Sequence, residues 1–169
     1  MSKFKSVQTL AVCGMLIALD VVLTRFLSFN TWNLRIGFSF IAVALAAYWY
    51  GPAGGAVVHG VSDLLGALLF PIGAYFPGYT LTAAVIGALY GLFFYRNARF
   101  VRIAGAVLSS QVVGSLLLNS LWITLTFTKG STFLAILLTR LPQAGAMTLV
   151  QLIVLPLMLF QLKRIPLKR

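Results

Sequence analysis

Residues 59–91 read HGVSDLLGALLFPIGAYFPGYTLTAAVIGALYG, two apolar runs joined by a short loop that has a proline near each end. A helix needs about 20 mostly apolar residues to cross the hydrocarbon core of a bilayer. The full runs, at about 53–70 and 79–95, approach that length. Because lipid offers the backbone no hydrogen-bond partners, apolar runs of this length are expected to be helical. The segment therefore predicts two transmembrane helices.

The rest of the chain has the composition of a membrane protein. Hydrophobic residues make up 60% of it and charged residues 9%, with a mean hydropathy of +0.99. A soluble domain contains about 25% charged residues. We therefore predict one domain, residues 1–169: an all-α integral membrane protein built as a single bundle of six transmembrane helices in the lipid bilayer. The predicted spans are residues 7–27, 36–50, 53–70, 79–95, 100–127 and 132–162.

The basic residues predict the orientation of the bundle. Six spans place both termini on the same side, together with most of the 13 lysines and arginines. Those on that side are Lys3, Lys5, Arg96, Arg99, Arg102, Lys163, Arg164, Lys168 and Arg169. Basic residues concentrate in cytoplasmic loops. We therefore predict a multi-pass protein of the cell membrane with cytoplasmic N- and C-termini.

Several functional classes find no support in the sequence. The net charge of +11 does not form a basic face interleaved with aromatic residues, so no nucleic-acid partner is expected. The chain has no phosphate-binding Gly-x-x-x-x-Gly-Lys-Ser/Thr loop, no His-Glu-x-x-His pair, no cysteine cluster and no Gly-x-Ser-x-Gly elbow. We expect no metal, no cofactor and no catalytic residue. A pocket in such a chain indicates a binding subunit that takes its energy from partner proteins.

Ionisable residues at membrane depth predict a polar site. Asp20 and Asp63 are the only carboxylate side chains, and both lie inside apolar runs. A charge at that depth costs roughly 2.5–3.5 kcal/mol, so it is usually paired or functional. Four basic residues lie away from the cytoplasmic side: Arg25, Arg35, Lys129 and Arg140. In the predicted orientation all of these groups converge on a ligand pocket toward the extracellular side.

Asp63 has two interpretations. It either serves a ligand or forms a salt bridge with Arg25 or Arg140 that locks the bundle. His59, one turn away, is expected to pack or to form a hydrogen bond inside the bundle. A catalytic triad of His59, Ser62 and Asp63 is not expected, because all three lie close together on one helix, whereas a triad holds its base between nucleophile and acid.

Polar and aromatic residues extend the predicted pocket. In the fifth span, Asn119 and Trp122 are expected to reach it, whereas Gln111 and Ser115 are expected to form interhelical hydrogen bonds. The outer loops carry aromatic rings, which either anchor the loops at the interface or stack on a flat anionic ligand. The predicted ligand-binding residues are Arg25, Phe29, Trp32, Arg35, Asp63, Tyr75, Phe76, Asn119, Trp122, Lys129, Arg140 and Gln143.

Two spans carry faces of small residues: Ala11, Gly14 and Ala18 in the first, and Ala83, Gly87 and Gly91 in the fourth. Such faces let helices approach closely. We expect packing within the bundle for the fourth span. The face of the first span either packs in the bundle or docks on another membrane protein.

Four segments resemble a known family. They are TRFLSFNTWNLRIGF (24–38), the segment 59–91, LLLNSLWI (116–123) and LLTRLPQ (137–143). Together they are similar to the substrate-binding S subunits of energy-coupling-factor vitamin transporters, and most of all to the folate branch. The resemblance implies six helices with both termini inside and a vitamin site near the outer face. It also implies docking on a transmembrane T subunit and two ATP-hydrolysing subunits, with small residues of the first helix at the contact.

The chemistry of folate suits the candidate residues. Its glutamate carries two carboxylates for the basic residues, and its pterin presents a hydrogen-bonding edge for Asp63 or Asn119. Its rings match the aromatic side chains. High-affinity folate binding is therefore the expected function. The alternatives are another vitamin such as pantothenate, a membrane-embedded enzyme acting on a lipid head group, and a structural membrane partner.

Overall fold

The structure, a computed structural model, describes residues 7–31, 34–71, 75–126 and 133–162, with the backbone alone for 29–31, 34–36 and 162. Its helices are α1 (Val7–Arg25), α2 (Phe40–Leu69), α3 (Pro77–Phe94), α4 (Phe100–Ser109), α5 (Asn119–Thr126) and α6 (Phe133–Leu162). A π-helical segment, Ser110–Leu118, joins α4 to α5. The strands are β1 (Phe29–Thr31) and β2 (Leu34–Ile36).

Five helical stretches of the described chain are long and apolar enough to cross a membrane. They are Val7–Arg25, Phe40–Leu69, Pro77–Phe94, Phe100–Thr126 and Phe133–Gln161. The fourth of these runs unbroken through α4, the π-helical segment and α5. The prediction of a helical membrane protein is therefore confirmed.

Gly51 interrupts α2 sharply. Its φ of 76° and ψ of −161° are not helical, and glycine adopts a positive φ without the penalty of a Cβ. A side chain on Gly54 would begin 3.2 Å from the backbone oxygen of Ala46, although residues eight positions apart are about 12 Å apart along a straight helix. The two halves of α2 therefore fold back on one another, where the second and third spans were predicted to separate.

The predicted start of the second span at residue 36 is wrong. Ile36 lies in β2, which pairs antiparallel with β1 and places Ile36 opposite Phe29, and the helix begins only at Phe40. Branched and aromatic residues such as these favour extended backbone. The hairpin between α1 and α2 uses residues that an apolar count assigns partly to a helix.

The close pairing of α2 with α3 depends on small residues. A Cβ on either Gly55 or Gly87 would overlap the backbone of the other helix, and one on Gly91 would overlap Pro52. The expected role of Gly87 and Gly91 in helix packing is therefore confirmed.

The apolar core surrounds the connection between α3 and α4. Tyr90, Phe94 and Ile103 are fully buried there against Leu155 and Leu159 of α6. The other end of α3, together with the end of α1, borders a large polar cavity, which is the candidate site.

Candidate functional site

A cavity of about 530 Å³ lies among the helices. Each helical span of the described chain contributes side chains to it. This volume falls within the roughly 300–1,000 Å³ that is usual for small-molecule sites. Six of the predicted ligand-binding residues line it: Arg25, Asp63, Tyr75, Asn119, Arg140 and Gln143.

Arg25 reaches the cavity across a glycine. Its Nε lies 2.7 Å from the position that a Cβ on Gly66 would occupy, so the guanidinium rests on the backbone of α2. The Nε atoms of Arg25 and of Arg140 are buried and have no hydrogen-bond partner within the described residues. A buried polar group without a partner is costly, and more so when it is charged. The cavity wall therefore holds two guanidinium groups suited to an anion.

Asp63 does not pair with either arginine. Its Oδ2 accepts a hydrogen bond of 2.8 Å from the Thr80 hydroxyl, which lies 3.1 Å from the Tyr75 hydroxyl. Among the residues that the structure describes, the one ion pair joins His59 to Asp20. The proposed salt bridge from Asp63 to Arg25 or Arg140 is therefore not formed. The carboxylate of Asp63 instead belongs to a polar wall of the cavity.

Asp20 is fully buried and joins α1 to α2. Its Oδ2 lies 2.9 Å from His59 Nδ1 and also accepts a hydrogen bond from the Ser62 hydroxyl. The carboxylate therefore sits between the imidazole and the hydroxyl. No catalytic triad results, because a triad places the imidazole in the middle.

Phe76 and Trp122, two of the predicted ligand-binding residues, are not among the side chains that line the cavity. Their ring centroids lie 5.4 Å apart, and the Trp122 indole packs where a side chain on Gly78 would sit. Trp122 Nε1 donates a hydrogen bond of 3.0 Å to the hydroxyl of Thr82, which does line the cavity. The two rings therefore support the cavity wall from behind.

Four further predicted ligand-binding residues belong to the predicted outer loops. Trp32 and Lys129 lie outside the described residues. For Phe29 and Arg35 the structure describes only the backbone, in the β1–β2 hairpin. These four residues stay predictions.

The cavity also includes polar residues that were not predicted to bind a ligand. Gln111 and Ser115 line it from the π-helical segment, and His59 lines it from α2. Gln111, Ser115 and Asn119 follow one another at intervals of four residues, which keeps them on one face of the helix. Thr24 and Ser39 complete the polar lining. A polar residue inside an apolar span was the available signal for most of these.

A helical membrane bundle that encloses a polar cavity with two guanidinium groups defines a membrane-embedded protein that binds a small solute. The chain belongs to the family described as ECF transporter, substrate-specific component, whose model matches residues 8–159. This is a family of transporter components and not of enzymes. The predicted resemblance is confirmed.

Two curated relatives are folate transporters. The chain is 38% identical over 152 residues to the folate transporter FolT of Clostridium novyi (strain NT), and this alignment covers 89% of this chain and 87% of the relative. It is 32% identical over 116 residues to FolT of Leuconostoc mesenteroides subsp. mesenteroides, and this alignment covers 68% of this chain and 62% of the relative.

Two solved structures have a similar fold. The fold matches the crystal structure of FolT bound with folic acid with a TM-score of 0.82 and 32% identity, over 97% of this chain and 96% of that one. It also matches the S component of a bacterial ECF transporter with a TM-score of 0.68 and 26% identity, over 92% and 95% of the two chains.

Proposed function

We propose that this chain is a folate-binding S component. It binds folate from the outer side of the membrane, performs no covalent chemistry, and depends on a transmembrane T subunit and two ATP-hydrolysing subunits for uptake. The observation that carries the proposal is the pair Arg25 and Arg140. Both guanidinium groups line the cavity, and the Nε of each is buried without a partner among the described residues.

The functional groups of folate are complementary to those of the cavity wall. The two carboxylates of its glutamate match the guanidinium forks, which bind carboxylates in a bidentate manner. The hydrogen-bonding edge of its pterin matches the Asp63 carboxylate and the Asn119 amide, and its rings match Tyr75. Arg35 and Lys129, in the predicted outer loops, are further candidates for the glutamate.

The proposed topology has six spans with both termini in the cytoplasm. The reversal at Gly51 supports it, because it separates the two halves of α2. Arg96 and Arg99 in the α3–α4 loop, with Arg102 in the first turn of α4, support the orientation. Reaction of single cysteines with a membrane-impermeant maleimide in intact cells tests both points: cysteines near the termini should react only after permeabilisation.

The proposed docking face for the T subunit is the exposed side of α1. Ala11, Gly14 and Ala18 lie on it, and a Cβ on Gly14 would meet no atom within 4 Å. Leu10 and Met15 beside them are 71% and 74% exposed. This face supports close helix approach by another membrane protein better than packing within the chain.

Folate binding to the purified chain in detergent tests the proposal. Titration with folate should quench the intrinsic tryptophan fluorescence at close to one ligand per chain, and unlabelled pantothenate should not compete. Quenching by another vitamin and not by folate would change the substrate. No response to any vitamin on folded protein would refute the binding function.

A further inference from the structure

Asp20 fixes the orientation of the His59 ring. The 2.9 Å contact between Asp20 Oδ2 and His59 Nδ1 is one of several hydrogen bonds that this buried carboxylate accepts. An ionised carboxylate can only accept hydrogen bonds, so Nδ1 carries the proton in this contact. A carboxylate bonded to one ring nitrogen sets the role and direction of the other.

The second ring nitrogen of His59 remains accessible. The side chain is 16% exposed, and it lines both the large cavity and a smaller chamber of about 90 Å³ beside it. Within the described part of the chain Nε2 forms no hydrogen bond, and it is accessible rather than buried. His59 therefore presents one oriented polar atom to whatever occupies the cavity.

Arg25 and His59 border different parts of the cavity along α2. Asp63 lies between the two on the cavity wall, whereas the fully buried Asp20 contacts His59 from outside the cavity lining. Arg25 rests on Gly66, about two turns or roughly 10 Å from His59 along the helix. A ligand carboxylate is attracted to the guanidinium of Arg25. An acidic ligand therefore enters with its uncharged end toward His59.

We propose that His59 is a specificity-determining residue whose Nε2 forms a hydrogen bond with the amino-pyrimidinone edge of the ligand's heterocycle, and that Asp20 is its positioning residue. The proposal rests on the proposed folate-binding function and extends it. Such an edge carries N–H donors beside carbonyl and ring-nitrogen acceptors, so it matches an imidazole nitrogen. The glutamate end then lies toward Arg25.

Two substitutions of His59 test the roles of its two ring nitrogens separately. In H59N the amide replaces Nδ1 and keeps a donor for Asp20, but nothing replaces Nε2. We expect the affinity for folic acid to fall about 10-fold, the effect of one lost hydrogen bond in a partly charged setting. In H59Q the amide reaches the position of Nε2, and we expect affinity to recover most of that loss. The matched control is S62A, which removes a bond to Asp20 away from the cavity and should bind folic acid like the unaltered chain.

Pteroic acid, which lacks the glutamate, identifies the ligand end that His59 contacts. H59N should weaken folic acid and pteroic acid by the same factor. Unchanged folic acid affinity in H59N, or a loss confined to folic acid, would overturn the proposal. If H59N does not fold, H59Q and H59F decide, since equal affinities of those two would also overturn it. Failure of the unaltered chain to bind folate would contradict the proposed function instead, so the two failures are distinguishable.

Discussion

The guanidinium of Arg25 rests directly on Gly66, with its Nε 2.7 Å from the point where a Cβ would begin. The glycine on α2 therefore determines how far the α1 arginine reaches into the cavity. Any larger residue at position 66 must displace the guanidinium, because the helix backbone beside it cannot move as easily as a long side chain.

The substitution G66A should weaken folate binding about 10-fold, since it displaces one charge-assisted contact. Alanine is favoured over glycine inside a helix by about 1 kcal/mol, so we expect thermal stability to be unchanged or higher. Titration calorimetry and a thermal unfolding scan measure the two effects. G14A, at a position where a Cβ meets no atom within 4 Å, should leave folate affinity unchanged. An equal loss in both variants would contradict the contact.

The substitution R25K tests whether the planar fork of Arg25 matters in addition to its charge. Lysine keeps the charge but cannot bind a carboxylate through two parallel hydrogen bonds. We expect folate affinity to fall about 10-fold, while pteroic acid, without the glutamate, should bind R25K and the unaltered chain alike. The same loss for both ligands would place Arg25 away from the glutamate.

The substitution W122F tests the supporting role of Trp122. The ring stays apolar but no longer donates to Thr82, so the free energy of unfolding should fall by about 1 kcal/mol. Folate affinity should change less than about threefold, or under about 0.7 kcal/mol. In a double-mutant cycle with T82V, the loss in stability for both changes should be smaller than the sum of the single losses. Additive losses, or a large drop in affinity from W122F alone, would contradict this role.

The substitution G14L tests the docking face on α1. A leucine side chain fits the open space at Gly14 in the isolated chain, so folate binding should persist. Close approach by the T subunit should be blocked, and uptake of labelled folate into cells that contain the full transporter should be lost. The control A135L adds the same bulk at an exposed alanine on α6 and should transport normally. Normal uptake by G14L would exclude this face.

Much of the fold follows from apolar length and from helix breakers. The break at Gly51-Pro52 is visible in the sequence because proline lacks an N–H and glycine tolerates a positive φ. The β1–β2 hairpin was not predicted, since strands of three residues depend on pairing that no local pattern reveals.

The site was predictable only in part, because charge in an apolar span marks a residue as important without fixing its partner. Arg25, Asp63 and Arg140 were found in this way. The packing of Phe76 against Trp122 was not predicted, because that pairing depends on how α3 meets α5. His59 reaches the cavity because Asp20, on a different helix, fixes its ring.

The central claim is that Arg25 and Arg140 hold the carboxylates of folate. Equilibrium binding of labelled folate to the purified R25A/R140A variant, compared with the unaltered chain, tests it most directly. The account predicts one site on the unaltered chain and a loss of at least about 100-fold in affinity in the folded double variant, since each arginine contributes roughly 1.5–3 kcal/mol. Folate binding by the double variant with the affinity of the unaltered chain would contradict it.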